Sequence, residues 1–247
     1  MMNLQHEDGN QLTPLPPRAL PVWLGKEARR ETMAAAAAAL KVRRADLHCS
    51  DAAAFCLDIL LETAEVVAVL AQLRDYSGYT FFHSLNVAVI AGQIGRELAL
   101  GGDRLKNLIL SGLLHDIGKQ CVPLALLNKR GRLSAAEMTV IRRHAAYGYA
   151  LLKKTLPQLD KEASLGVLQH HERLDGSGYP FALSGDGISL FARVIAIADS
   201  YDAMTGERIY RAKMSPAQAL AVITADMAGR IDERIGRVFL DNVARRS

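Results

Sequence analysis

Seven histidines are spread over 247 residues, and five of them stand where an imidazole is an awkward choice. His83, in YTFFHSLNVAVIAGQIGREL, shares a helical face with Val87, Ile90 and Ile94. His144 shares one with Val140, Tyr147 and Leu151. Taken singly, such a histidine is ordinarily a core residue with local partners. LILSGLLHDIGK changes that reading, because His115 and Asp116 follow an apolar helical run. Burying an imidazole with a carboxylate is unfavourable unless a cation compensates. Asp116 is a poor helix cap, since Gly118 marks the helix end and an aspartate there opposes the helix dipole. LFARVIAIADSYDAMT brings Asp199 and, one turn later on the same face, Asp202. Two buried carboxylates would repel without a partner. HHERLDGSGYP then sets His170 and His171 side by side before a glycine turn.

Together, five imidazoles with Asp116 and Asp199 form a ligand set for two transition ions, one carboxylate bridging. Only His6 and His48 fall outside it. Two ions about 3.5–4 Å apart hydrolyse phosphate esters. The nitrogen-rich set points to two divalent ions of iron or manganese, with nickel or zinc as alternatives, rather than magnesium. A turn can aim adjacent side chains such as His170 and His171 at one ion. Asp175, Gly176 and Gly178 supply its tight conformation. Tyr179 and Pro180 form a stiff, partly exposed lip, and a loop held by Tyr179 packing on the core is an equal alternative to a recognition surface.

The elements that must hold these residues read as all-α. Alanine and leucine are abundant, aromatic content is 6%, and no alternating stretch longer than a few residues suggests a strand. Residues 1–25, with Pro14, Pro16, Pro17 and Pro21, read as disordered or extended. Residues 26–75 read as a helical region: one helix over Glu27–Leu47, and a second from Asp51, its cap, to about Arg74. A pairing of that second helix with another copy would give a homodimer. From residue 76 to 247 capping signals recur at Ser134–Glu137 and Ser215–Pro216, giving nine or ten helices in all. Net charge +4 suits an anionic small molecule and is too weak to argue for a nucleic acid polymer. Three cysteines without CxxC spacing fit a reduced compartment. No apolar run reaches the ~18 residues of a membrane helix, and the start MMNLQHEDGN does not read as a signal peptide. A cytoplasmic location without membrane insertion is expected.

HDIGK resembles the signature of the HD superfamily of metal-dependent phosphohydrolases, and HHERLDGSGYP the defining motif of its HD-GYP branch. HSLNVA, VPLALLNKRGRLS, IADSYDAMT and RIYRAKMSPAQAL follow in family order, so the resemblance covers residues 76–247. It implies an HD-domain helical bundle with a central metal site, preceded by N-terminal helices. The implied enzyme is a bacterial cyclic di-GMP phosphodiesterase in second-messenger signalling, giving linear pGpG and onward GMP. Carried over, His83, His115, Asp116 and Asp199 hold one ion, and Asp116 bridges to a second held by His144, His170 and His171. Members with three metals have a glutamate where Tyr79 stands, so two ions are expected here.

The nucleophile implied is a hydroxide bridging the ions. Lys119 matches the family's lysine that steadies developing charge or assists the leaving oxygen. By itself it would also be an ordinary cation ending a helix. Arg208 and Arg211 match basic positions that grip phosphate or guanine, for which a planar guanidinium is suited. Asp202 is expected to orient a ligand or Lys119 rather than bind metal. The lip 175–180 is the family's surface for partners such as GGDEF-type diguanylate cyclases. Two further readings stay open. One is an HD hydrolase of another cyclic dinucleotide, such as hybrid cyclic GMP-AMP. The other is a slow or inactive signalling module that keeps the fold and metals.

Overall fold

The structure is a computed structural model that describes residues 25–47, 50–206 and 213–243. The expected extended segment 1–25 therefore lies outside the described residues, save Gly25. Among the described residues the elements are helical, and the one β-type pairing is an isolated bridge between Asp175 and Ser184.

Three helices open the chain: α1 (Lys26–Leu47), α2 (Ser50–Glu62) and α3 (Ala64–Tyr76). The single helix expected from Asp51 to Arg74 is thus two. It breaks at Thr63, whose backbone leaves the helical region (φ −118°, ψ 80°) and whose hydroxyl donates to the Ile59 carbonyl. Such back-bonding is a known competitor of the helix ladder. Asp51 is not the cap either: α2 begins at Ser50, and Asp51 lies in its first turn, where its charge favours the dipole.

α4 (Gly78–Glu97) is the axis of the molecule. Its apolar residues are buried around most of its circumference, Phe81, Leu85, Val87, Ile90 and Ile94 among them. A helix apolar on all sides must be surrounded. α5 (Gly102–Leu114) and α10 (Leu190–Thr205) pack along it most extensively, and α1, α2 and α3 cover the rest. One core consequently runs from Ala36 of α1 to Phe239 near the end of the described chain. The boundary expected between residues 75 and 76 falls in the last turn of α3, and buried side chains on both sides share that core. The apolar residues of α3 that suggested a pairing face, such as Val66, Val67, Leu70 and Leu73, point into it.

After α5 the chain tightens into a 3-10 turn, Ile117–Cys121, then forms α6 (Leu124–Leu127), α7 (Ala135–Arg142), α8 (His144–Thr155) and α9 (Lys161–Gln169). α11 (Pro216–Asp226) and α12 (Glu233–Val238) close the bundle. Twelve described α-helices exceed the nine or ten expected, because α6 and α12 span only 4 and 6 residues and carry little periodic signal. Both expected caps form complete boxes, Ser134 with Glu137 and Ser215 with Gln218.

Gly118 sits where the 3-10 turn meets the start of α8. A Cβ there would overlap the His144 carbonyl and the Gly148 amide, so the approach requires glycine. Gly118→Ala is expected to lower stability by about 1–3 kcal/mol, as overpacking does. Gly78→Ala, with nothing within 4 Å of the new methyl, is expected to stay within about 0.5 kcal/mol. Urea denaturation of both variants checks this pair.

Candidate metal centre

Helix ends and one helix face converge beside α4. His83 projects from the second turn of α4 and is buried. α5 ends at Leu114 and hands His115 and Asp116 to the 3-10 turn. His144 opens α8, and His170 and His171 follow the last residue of α9. Asp199 and Asp202 come from α10. His83, His115, Asp116, His144, His170 and Asp202 are all less than 4% exposed.

Three of the imidazoles are held in the same way. His115, His144 and His170 each donate Nδ1–H to the carbonyl three residues earlier, on Gly112, Ile141 and Val167, at 2.8 Å in each case. A carbonyl can only accept, so the neutral ring carries its lone pair on Nε2. Those Nε2 atoms face inward. His115 Nε2 lies 3.3 Å from Asp116 Oδ2, and His144 Nε2 lies 3.4 Å from Oδ1 of the same carboxylate. His144 and His170 bring their Nε2 atoms within 3.3 Å. Two lone pairs that close repel unless a proton or a cation lies between them.

His83 is held by a carboxylate instead. Its Nδ1 is 2.7 Å from Asp202 Oδ2, while its Nε2 is 3.0 Å from Asp199 Oδ1 and 3.6 Å from Asp116 Oδ2. Burial alone would lower its pKa, but the hydrogen bonds and charges of Asp199 and Asp202 raise it to about 9. The other rings go the opposite way. Burial drives His144 down to about 4, and burial with the neighbouring imidazoles takes His170 and His171 well below the usual histidine range. Burial opposes ionisation of Asp116 too, but Lys119 and then His115 outweigh it and hold the carboxyl well below the usual range. Lys119 donates directly to Asp116 Oδ2.

Three groups that could hold a metal ion, with donor atoms mutually within 4.8 Å, emerge from this packing: His144 with His170 and His171; His83 with His115 and Asp199; and His115 with Asp116 and His170. His115 Nε2 and Asp116 Oδ1 are buried without a hydrogen-bond partner. Orphaned acceptors of this kind, beside lone pairs fixed by backbone hydrogen bonds, are suited to a bound cation. The donor set is chemically suited to a divalent transition ion.

The turn after His171 depends on a residue that sequence reasoning passed over. Glu172 is 2% exposed, and its carboxylate accepts from the amides of Phe181 at 2.7 Å and Leu183 at 3.0 Å. It therefore anchors the far side of the loop to the histidine pair. Asp175 accepts from the Ser177 amide, and Gly176 takes φ +77°. A Cβ on Gly178 would overlap backbone atoms of His171, Glu172 and Arg173. Tyr179, which precedes a cis Pro180, stacks on the His171 ring with centroids 4.6 Å apart, under the Arg142 guanidinium at 5.2 Å. Gln169 accepts from the Ser189 amide, tying the end of α9 to the start of α10. Glu172, Arg142 and Gln169 gave no periodic signal, because their partners are backbone atoms or rings brought in by the fold.

Arg208 and Arg211 lie outside the described residues. Tyr79, at the position noted for a third metal, stacks parallel to His83 with centroids 6.1 Å apart. Among the described residues no helix is long and apolar enough to cross a membrane.

A family model described as the HD domain matches residues 58–235. A cyclic di-GMP phosphodiesterase of Pseudomonas aeruginosa is 36% identical over 196 residues, which are 79% of this chain and 47% of that protein. The 3'3'-cGAMP-specific phosphodiesterase 3 of Vibrio cholerae is 44% identical over 168 residues, 68% of this chain and 36% of the relative. The chain thus spans less than half the length of these two relatives. A solved HDG"Y"P protein from Bdellovibrio bacteriovorus superposes with a TM-score of 0.58 at 19% identity, covering 87% of this chain and 69% of that one. At that identity the likeness is one of fold.

Glu172→Gln keeps the size of the side chain but replaces one of its two acceptor oxygens with a donor. Because hydrogen bonds to charged groups contribute about 1.5–3 kcal/mol, a loss of that order is expected in urea denaturation. Limited proteolysis should then cut first between residues 173 and 184. Unchanged stability and cleavage would show that the carboxylate does not hold the loop.

Proposed function

The chain belongs to the HD-domain family, in the HD-GYP branch that its HHERLDGSGYP stretch resembles, and on that footing we propose that it is a metal-dependent cyclic dinucleotide phosphodiesterase. Cyclic di-GMP is the first substrate, opened to linear pGpG and then to GMP. The observation that carries this reading is the set of inward-facing imidazole lone pairs around the buried Asp116 carboxylate.

The two oxygens of Asp116 support a bridging role, since Oδ2 faces His83 and His115 while Oδ1 faces His144. One ion would be held by His83, His115, Asp116 and Asp199, and the other by His144, His170 and His171 with Asp116 shared. Iron or manganese suits these donors best, nickel and zinc next. Bound there, two divalent ions would activate water near neutral pH and draw the phosphate oxygens toward them.

The chain's own groups do the rest. Asp202 fixes the ring of His83 through Nδ1, so that Nε2 is presented as a ligand. The carbonyls of Gly112, Ile141 and Val167 do the same for three other rings. Lys119, partly exposed beside Asp116, is placed to offset charge on the phosphate or on the departing oxygen. Arg208 and Arg211 are the candidate grips for phosphate. The lip Asp175–Pro180, with Phe181 61% exposed beside it, is the surface offered to GGDEF-type diguanylate cyclases.

Hybrid cyclic GMP-AMP is the second reading, because a relative at 44% identity is named for 3'3'-cGAMP. One experiment addresses both. The full chain, purified anaerobically, is analysed for bound metal and then assayed on cyclic di-GMP and 3'3'-cGAMP. About two ions per chain, cleavage in the wild type and none in Asp116→Ala are expected. Metal without cleavage of any cyclic dinucleotide would instead identify a binding module. Lys119→Met is expected to keep the metal content and lower kcat by roughly 100-fold, the usual effect of removing one charge-stabilising donor.

A further inference from the structure

A cleft of about 250 Å3 opens beside the metal centre, and His171 and Asp199 form part of its wall. Whatever enters it therefore sits beside the residues proposed to hold the metals. Its volume lies just below the ~300–1,000 Å3 of pockets that enclose whole drug-sized ligands. It suits a flat fragment of the substrate, not the complete ring. Met204 from α10, Val222 and Ile223 from α11, and Ile231 give it apolar faces. Val222 is 39% exposed there, an apolar surface left without cover in the described chain. A methionine thioether against an aromatic ring adds a favourable contact.

Two charged side chains complete the lining, Arg173 and Asp226. Arg173 is rigidly placed: its Nη1 donates to the carbonyls of His170 at 3.2 Å and Glu172 at 2.9 Å, both on the ligand-bearing turn. Asp226 receives Arg230 on Oδ1 at 2.9 Å. Each carboxylate oxygen has two lone pairs, so this contact leaves acceptor capacity for a ligand.

We propose that this cleft is a guanine subsite, in which Asp226 accepts from N1–H and the 2-amino group of one base while the apolar walls cover its faces. The inference rests on the cyclic dinucleotide reading above and adds to it a choice of base. Guanine presents two adjacent donors on that edge, which a carboxylate matches with two acceptors. Adenine presents an N1 acceptor there, and a lone pair facing a carboxylate is repulsive. Arg173 supplies the complementary donor for O6 and N7, the pairing by which arginine reads guanine elsewhere. The second base makes no use of this cleft, so one guanine suffices for recognition, and both cyclic di-GMP and 3'3'-cGAMP can be bound by it.

Asp226→Asn tests this directly. Asparagine offers one acceptor and one donor, which suits the N1 and N6 edge of adenine. The metal-loaded wild type is expected to cleave cyclic di-GMP and 3'3'-cGAMP in preference to cyclic di-AMP. In the variant, kcat/KM for cyclic di-GMP should fall roughly 10- to 100-fold relative to cyclic di-AMP, the span of one bidentate base contact. Equilibrium dialysis with GMP and AMP gives a readout independent of turnover, and the wild-type preference for GMP should be lost in the variant. Cleavage by the wild type with an unchanged base ratio in Asp226→Asn, by both readouts, would overturn the guanine subsite and leave the phosphodiesterase standing. If the wild type cleaves none of the three yet binds GMP over AMP through Asp226, the subsite stands and the phosphodiesterase reading fails.

Discussion

One buried carboxylate governs the centre of this molecule. Asp116 is 1% exposed and faces His83, His115 and His144 through its two oxygens, with Lys119 on the outer side. An anion in such a place is tolerated only when positive charge or donors surround it. Of the facing imidazoles, burial disfavours protonation of His144, while His83 is raised to about 9 against its own burial by Asp199 and Asp202, and so brings positive charge to one oxygen only. The lysine satisfies one oxygen and the other is orphaned. The surrounding helices are arranged around that deficit: four of them end or begin within reach of it, at Leu114, Arg142, His144 and Gln169.

The way those ends are used is economical. A helix leaves its last four carbonyls without amide partners from a continuing turn. GLLH, IRRH and VLQH each place a histidine three residues after such a carbonyl, and each ring donates Nδ1–H back to it. The same contact that satisfies the helix end fixes the tautomer and turns Nε2 inward. His83, in the second turn of α4, has no free C-terminal carbonyl to use, and Asp202 takes its place. Orientation of the rings is therefore built from backbone geometry at three sites and from a distant side chain at the fourth.

The adjacent turn extends the same rigidity outward. Glu172 ties the amides of Phe181 and Leu183, Arg173 ties the carbonyls of His170 and Glu172, and Tyr179 lies on His171. The turn that presents His170 and His171 thus also forms one wall of the cleft facing α11. The stretch of eleven residues therefore places the histidine pair and contributes His171 and Arg173 to the cleft, whose other walls come from α10, α11 and Ile231.

The sequence by itself determined the residue types and much of the local structure. The all-α class, the span of α1 and the capping boxes at Ser134 and Ser215 follow from propensities and contacts within a few residues. The ligand candidates were legible because apolar runs led into His115, Asp116 and Asp199, and burying such groups demands compensation. The break at Thr63 and the short helices α6 and α12 were not legible, since the apolar helical pattern continues across Thr63 and 4 or 6 residues carry little periodic signal. Only the tertiary structure decided that Asp202 meets His83 across 119 residues, that Glu172 holds the loop, and that α10 and α11 enclose a cleft with Asp226 on its lining. The physical reason is range: a side chain bonding the carbonyl three residues back is coded by adjacent letters. A contact between α4 and α10 exists only once a shared core has fixed how those helices pack.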